Sequence, residues 1–280
     1  MLDQSFFTNL AVMASILMLA ALGGLFSERS GVINIALEGK MLAGACFSAL
    51  VSANSGNPLL GILAGVIAAI VLSLMHYALT QLYDLEHILA GMAINLLAFG
   101  VTNFVAKKFM ETGPRATFYP VMIFAGLAMV ATAISWFALY RTRAGLRILA
   151  VGNHPGKSRQ SGINPLDVRF RALIVTGVLS GLSGCLIVSN SGNFTDMMTA
   201  GRGFIALAAL ILGGWRPVQT AIACIGFAAF EAVQIQLQGR PVMGVELPAA
   251  IWSMMPYLIT LITLMGFVGK TKAPTGLGQP

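Results

Sequence analysis

Residues 41–83 read MLAGACFSALVSANSGNPLLGILAGVIAAIVLSLMHYALTQLY, 43 consecutive positions without an Asp, Glu, Lys or Arg. A helix needs about 20 mostly apolar residues to cross the hydrocarbon core of a bilayer. The stretch is therefore long enough for two crossings, with the Ser-Gly-Asn-Pro run at 55–58 as the turn between them. A second such run lies between Arg171 and Asp196, which enclose 24 uncharged residues. Both runs are continuously apolar rather than alternating, which excludes a transmembrane β-barrel. Over all 280 residues 57% are apolar and 10% charged, against about 25% charged in a soluble domain. The composition excludes a soluble globular protein and indicates an all-α polytopic membrane protein.

Splitting the chain at charges, prolines and Gly/Asn/Ser clusters predicts spans near 6–27, 31–53, 58–80, 88–108, 119–140, 172–190, 200–214, 217–237 and 247–269. That is about eight to nine transmembrane helices in a single membrane domain, 1–280. Two of these segments are irregular: 200–214 is short and 28–39 is rich in polar residues, so either can be a half-helix that enters and leaves on one side. A Gly-rich segment (31–39), a Pro-started span (58–80) and then a further span recur in the opposite direction as 201–214, 217–237 and 247–269. This is the pattern of an inverted internal repeat.

The formal net charge is +7, and seven Lys or Arg fall between Arg141 and Arg171 against one acid, Asp167. Under the positive-inside rule, 141–171 is a cytoplasmic loop. The N-terminus is then outside, and 81–87 and the tail 270–280, with Lys270 and Lys272, are inside. Lys107, Lys108, Arg115, Arg202 and Arg240 remain outside. The basic balance thus reports topology, not nucleic-acid binding. No basic residue precedes the first apolar stretch, so it reads as a retained span rather than a secretory signal. Cys46, Cys185 and Cys224 sit in apolar runs and read as small buried hydrophobes. His76, His87 and His154 fall at no metal-ligand spacing, and no Gly-x-Ser-x-Gly nucleophile turn occurs. The string Gly269-Lys270-Thr271 lacks the earlier glycine of a P-loop, since Leu264 occupies that position.

Three segments carry chemistry. In 23–39, Ser30 can cap free N–H groups and Gly31 permits an unusual backbone angle. Asn34 and Glu38, four apart, would share one helical face, and an acid at membrane depth needs a protein or water neighbour. Two readings stand for Glu38: a structural interhelical bond, or a gate or pathway residue. Lys40 has no evident partner, because Glu38 is too close in sequence to face it. In the basic loop, Pro155 at a first turn and Gly162 at a terminus bracket a helix of about two turns. The aliphatic residues of the loop argue against disorder, and a short exposed helix suits docking into a groove on a soluble partner. In 201–217, small residues favour tight packing, and Gly213-Gly214 before Trp215 marks a helix end at the interface. Glu231, further on, is either a buried partner for a polar group or a coupling acid.

Four ordered motifs resemble the permeases of bacterial ABC importers in the branched-chain amino acid and simple-sugar superfamily. They are 22–39 (LGGLFSERSGVINIALEG), 90–98 (AGMAINLLA), 150–153 (AVGN) leading to Gly162-Ile163, and 203–208 (GFIALA) with 212–217 (LGGWRP). The likeness is strongest to the shorter permease of nucleoside or simple-sugar systems. In that family the cytoplasmic loop seats on the ATPase through a degenerate Glu-Ala-Ala-x-x-x-Gly motif. The resemblance assigns this coupling role to Asn153, Pro155, Gly156, Lys157, Ser158, Arg159, Gly162 and Ile163. The sequence departs from the pattern with Gly156 in place of an acid and Lys157-Ser158 in place of Ala-Ala.

The resemblance further implies a non-enzymatic subunit of the bacterial inner membrane. It would be driven by a partner ATPase that binds ATP and Mg in two fused nucleotide domains. It would pair with a second, homologous permease as a heterodimer and receive its solute from an extracytoplasmic binding protein. A neutral, polar, flat nucleoside calls for amides and hydroxyls along the path. Asn34, Asn95 and Ser180 are the candidates, with the acids Glu38 and Glu231. The alternatives are a simple-sugar or branched-chain amino acid permease, and a proton-coupled carrier with Glu38 or Glu231 as the proton site.

Overall fold

The computed structural model describes residues 4–109, 116–237, 254, 258, 261, 265 and 272–279, and everything below concerns these residues. The expected span 247–269, together with Arg115, Arg240 and Lys270, lies largely or wholly outside them. The chain forms α1 (Gln4–Arg29), α2 (Leu37–Ser55), α3 (Pro58–Tyr77) running on as a π-helical turn (Ala78–Leu82), α4 (His87–Phe109) and α5 (Val121–Arg141). It continues as α6 (Arg143–Asn153), α7 (Pro155–Gln160), α8 (Pro165–Ser191), α9 (Arg202–Leu212) and α10 (Pro217–Leu237). Six helices are long and apolar enough to cross a membrane: α1, α3 with its π turn, α4, α5, α8 and α10.

Helix starts follow local chemistry. Asn57 and Asn164 each accept a hydrogen bond from the backbone N–H two residues on, and each precedes a proline whose missing N–H costs nothing in a first turn. Glu86 caps α4 by accepting from Ile88 N and Leu89 N, and these bonds hold its carboxyl below the usual range.

α1 is the central helix, in contact with α8, α10, α5 and α9, while α2 packs on α3, α8 and α4. Leu17, Leu19, Leu22 and Leu25 of α1 are fully buried, whereas Leu63, Ile67 and Val71 of α3 face outward, as lipid-facing residues do. Where α2, α3 and α8 cross, their surfaces are glycine. A Cβ on Gly44 would lie 2.9 Å from Gly181 O, one on Gly177 would lie 2.7 Å from Ile70 Cα, and one on Gly184 would overlap Met41 O. Gly184→Ala is therefore expected to destabilise the protein by about 1–3 kcal/mol through overpacking. Gly100→Ala, in open space, should gain about 0.5–1 kcal/mol from helix propensity. Thermal unfolding in detergent separates the two, and equal melting temperatures would contradict this packing.

Polar contacts divide the bundle into two ends. At one, Arg29 meets Trp215, Arg169 meets Gln81, and residues 275–279 meet Gly31, Gly152, Asn153 and Arg169. At the other, Ser52 meets Thr117 and Asn103 meets Asp196. The seven basic residues of 141–171 cluster at the first, basic end.

Two expectations need correction. Residues 31–36 are not helical, and α2 begins only at Leu37, so Asn34 and Glu38 do not share a helical face. Gly31, at φ 99°, turns the chain away from α1, and Asn34 spends its amide on tertiary partners instead of a helix. The segment 141–171 is not one loop either: it holds α6, α7 and the first turns of α8. α6 forms because Thr142 caps it by accepting from Gly145 N, and because Ile148 and Val151 recur on one face and are buried.

Candidate functional site

The break between α1 and α2 and the half-length helix α9 meet inside the bundle. At about 1.5 Å per residue, the 11 residues of α9 span only about half the hydrocarbon thickness. The N-terminus of α9 therefore falls short of a full crossing, and its free backbone N–H groups need an acceptor. Glu38 fills this need. Its Oε1 accepts from Gly201 N and its Oε2 from Gly203 N, both at 2.7 Å. A carboxylate at a helix N-terminus also complements the macrodipole. A Cβ on Gly203 would lie 2.7 Å from Glu38 Cα, so only glycine lets the two helix starts approach this closely.

The rest of α9 is tied on both sides. Arg202, in its first turn, pairs with Glu231 of α10 at 2.6 Å. Past its C-terminus, Trp215 donates from Nε1 to Glu28 Oε2 at 2.5 Å and accepts at its carbonyl from Arg29 Nε at 2.7 Å. The junction of 28–38 with 201–216 is thus a polar seam between two discontinuous elements.

Asn34 and Asn95 belong to the same seam. Asn34 Nδ2 donates to Ser27 Oγ at 3.0 Å, and its Oδ1 accepts from Lys40 Nζ at 2.9 Å. Asn95 of α4 accepts from Gly39 N at 2.8 Å and donates to Ile35 O at 3.1 Å. It thereby fixes the start of α2 from the side. Ser180 stands apart on α8 and donates to Thr176 O of its own helix. The structure thus brings Asn34, Glu38, Asn95 and, through Arg202, Glu231 into one region, and leaves Ser180 outside it.

Lys40, unexplained by sequence spacing, is fully buried and lies 2.9 Å from Asn34 Oδ1 and 3.2 Å from His76 Nδ1. It links the unwound segment to α3 through Asn34 and His76. His76 Nε2 has no hydrogen-bond partner among the described residues. Lys40→Met leaves Asn34 Oδ1 and His76 Nδ1 without their partner and is expected to cost about 1–3 kcal/mol. In Lys40→Met with His76→Leu one of those orphans is gone, so the double variant should melt higher than the two single effects predict by addition. Strict additivity in the melting temperatures would show that the pair does not interact.

At the basic end, α6 and α7 form an elbow. Pro155 and Ser158 are buried against the body while Gly156, Lys157, Arg159 and Gly162 are exposed, with Asn153 and Ile163 between. Gly162 has φ 78° and closes α7 with Ile163 N donating to Ser158 O at 3.0 Å. Beside the elbow, Arg147, Ser161, Gly162, Asn164, Asp167 and Arg171 line an open cavity of about 370 Å³. Two of the eight predicted docking residues, Gly162 and Ile163, line this cavity.

Charge counting missed Arg169. It groups with the loop basics in sequence, yet is 1% exposed. Its guanidinium donates to Ser30 O at 3.2 Å, Gln81 Oε1 at 2.6 Å and Gln279 O at 2.7 Å. Its partners lie 88 to 139 residues away, and no local pattern marks them.

Comparison with known proteins follows these features. Residues 6–264 match the family model described as branched-chain amino acid transport system, permease component. The chain is 36% identical to the guanosine ABC transporter permease protein NupQ of Bacillus subtilis, over 96% of this chain and 93% of that protein. It is 32% identical to the nucleoside ABC transporter permease protein NupC of Lactococcus lactis, over 98% and 96% of the two chains. It is also 32% identical to the putative glucose ABC transporter permease protein TsgC13 of Haloferax volcanii, over 93% and 90%.

Proposed function

The chain belongs to the family of branched-chain amino acid transport system permease components, and from that premise we propose that it forms a translocation path for nucleosides. It is a multi-pass permease subunit of an ABC importer in the bacterial cytoplasmic membrane. The observation that carries the substrate class is near full-length similarity to two permeases named for guanosine and nucleosides. The glucose-named relative supports a second reading, a sugar path.

The basic end is the cytoplasmic side, and the α6–α7 elbow is the coupling element, with the tail beside it. Its exposed Gly156, Lys157 and Arg159 and the adjoining groove suit a soluble ATPase carrying ATP and Mg. A second, homologous permease completes the membrane unit as a heterodimer, and an extracytoplasmic binding protein delivers the solute. α2 is a further crossing beside the six long helices. α9 is a half-helix, and the segments 31–39 and 58–80 have 201–214 and 217–237 as inverted counterparts.

Transport proceeds by alternating access: closure of the ATPase displaces α7, and the seam between 28–38 and α9 relays this to the path. Asn34, Glu38, Asn95, Ser180 and Glu231 shape that path chiefly as its scaffold, since each already has a partner inside the protein. The same pairing speaks against a proton-coupled carrier: Glu38 is held by two backbone donors and Glu231 by Arg202. The substrate test is ATP-driven uptake by the assembled transporter of labelled guanosine, challenged with unlabelled adenosine, uridine, ribose, glucose or leucine. Competition by nucleosides alone is expected, and competition by glucose or leucine with none by nucleosides overturns the assignment.

A further inference from the structure

Chain termini are poorly ordered unless something ties them down, and here residues 274–279 are tied to three separate elements. Thr275 Oγ1 donates to Asn153 O, and Gly276 N donates to Gly152 O at 2.9 Å, which fastens the tail to the α6–α7 elbow. Gly278 N donates to Gly31 O at 2.8 Å, which fastens it to the break between α1 and α2. Gln279 O accepts from Arg169 Nη2 at 2.7 Å, on α8. Leu277 packs against the main core, and Pro274 and Gly276 are buried.

The fit leaves no slack. A Cβ on Gly276 would lie 2.8 Å from Pro155 Cδ and 2.9 Å from Gly152 O. One on Gly31 would lie 3.1 Å from Gly276 O. Gly152 packs directly against Arg29 and Gly31, but among the described residues no hydrogen bond runs from 143–163 to 30–36, so the hydrogen-bonded connection between elbow and seam passes through the tail.

We propose that residues 274–279 are a positioning strap that couples α7 to the unwound 30–36 segment. Movement of the elbow reaches Gly31 through the strap and then, along the 31–38 backbone, Glu38 at the N-terminus of α9. The strap rests on the reading of the chain as an ATP-driven permease. It adds a role for residues outside both the coupling helix and the candidate path.

The test uses the complete transporter in proteoliposomes, with this chain either ending at residue 271 or carrying Gly276→Val, whose added side chain expels the tail without deleting it. ATP hydrolysis and nucleoside uptake are measured in the same preparation. The expected result is hydrolysis within about twofold of the wild type and uptake per ATP reduced about tenfold, in the range that loss of a coupling element produces. Wild-type uptake per ATP in either variant overturns the strap, and so does a parallel loss of hydrolysis and uptake, which marks a merely structural tail. If the truncated chain fails to assemble, Gly276→Val decides alone. Failure of the wild-type transporter to show ATP-dependent uptake would instead count against the permease reading, so the two failures remain distinct.

Discussion

Glu38→Ala is expected to lower nucleoside uptake by at least about tenfold, because it leaves the N-terminus of α9 unsatisfied. Two backbone N–H groups, from Gly201 and Gly203, lose their acceptor at once. Hydrogen bonds to a charged group are worth about 1.5–3 kcal/mol each, and the dipole interaction adds up to about 2 kcal/mol in buried geometry. Not all of this is lost in practice, since the neighbours relax. A loss of about 2–4 kcal/mol is nevertheless large beside a total stability of about 5–15 kcal/mol. Glu38→Gln keeps the shape and one acceptor, but turns an amide NH₂ toward an N–H donor, so its effect should be smaller but of the same sign. The measurement is uptake paired with melting temperature across the two variants and the wild type. Full uptake by Glu38→Ala would sever α9 anchoring from transport.

The second large effect concerns the elbow. Arg159→Glu combined with Gly162→Val is expected to abolish association with the ATPase while membrane insertion stays normal. Gly162 sits at φ 78°, where a β-branched residue costs about 1–2 kcal/mol or more. The turn that ends α7 would therefore open. Arg159 is exposed at the same end of α7, so reversing its charge changes the docking face and not the core. α7 has only Pro155 and Ser158 buried, which is why the bundle should tolerate the change. Co-purification of the ATPase with the tagged chain reads the result. Normal recovery of the ATPase would refute the docking role.

Much of this was legible in the sequence wherever the cause is local. Charge-free runs marked the crossing helices, Pro155 and Gly162 marked α7, and the short interval between Gly201 and Gly213-Gly214 marked α9 as half-length. Glu38 stood out because an acid in an apolar run must find a partner. What could not be read is the identity of the partners. Glu38 reaches its donors across 163 and 165 residues, and Trp215 reaches Glu28 across 187. Nothing in a period of 3.6 residues encodes such pairings.

The same limit explains the misreading of 31–36. An apolar window containing Asn34 scans as helix, but the amide is more fully satisfied by Ser27 and Lys40 than it would be on a helix face. Arg169 was counted with the solvated basics because residue type carries the charge, whereas its burial depends on Gln81, Ser30 and Gln279. The tail was legible as a basic terminus, not as a strap, since its function depends on carbonyls of other elements.

In the proposed transporter this chain supplies the path and a separate ATPase supplies the energy. The measurement that tests this most directly is solute uptake into proteoliposomes, comparing the chain alone with the chain assembled with its ATPase and second permease. Nucleoside uptake is expected only in the assembled form, dependent on ATP and unaffected by a pH gradient. Uptake by this chain alone, driven by a pH gradient without ATP, would contradict it.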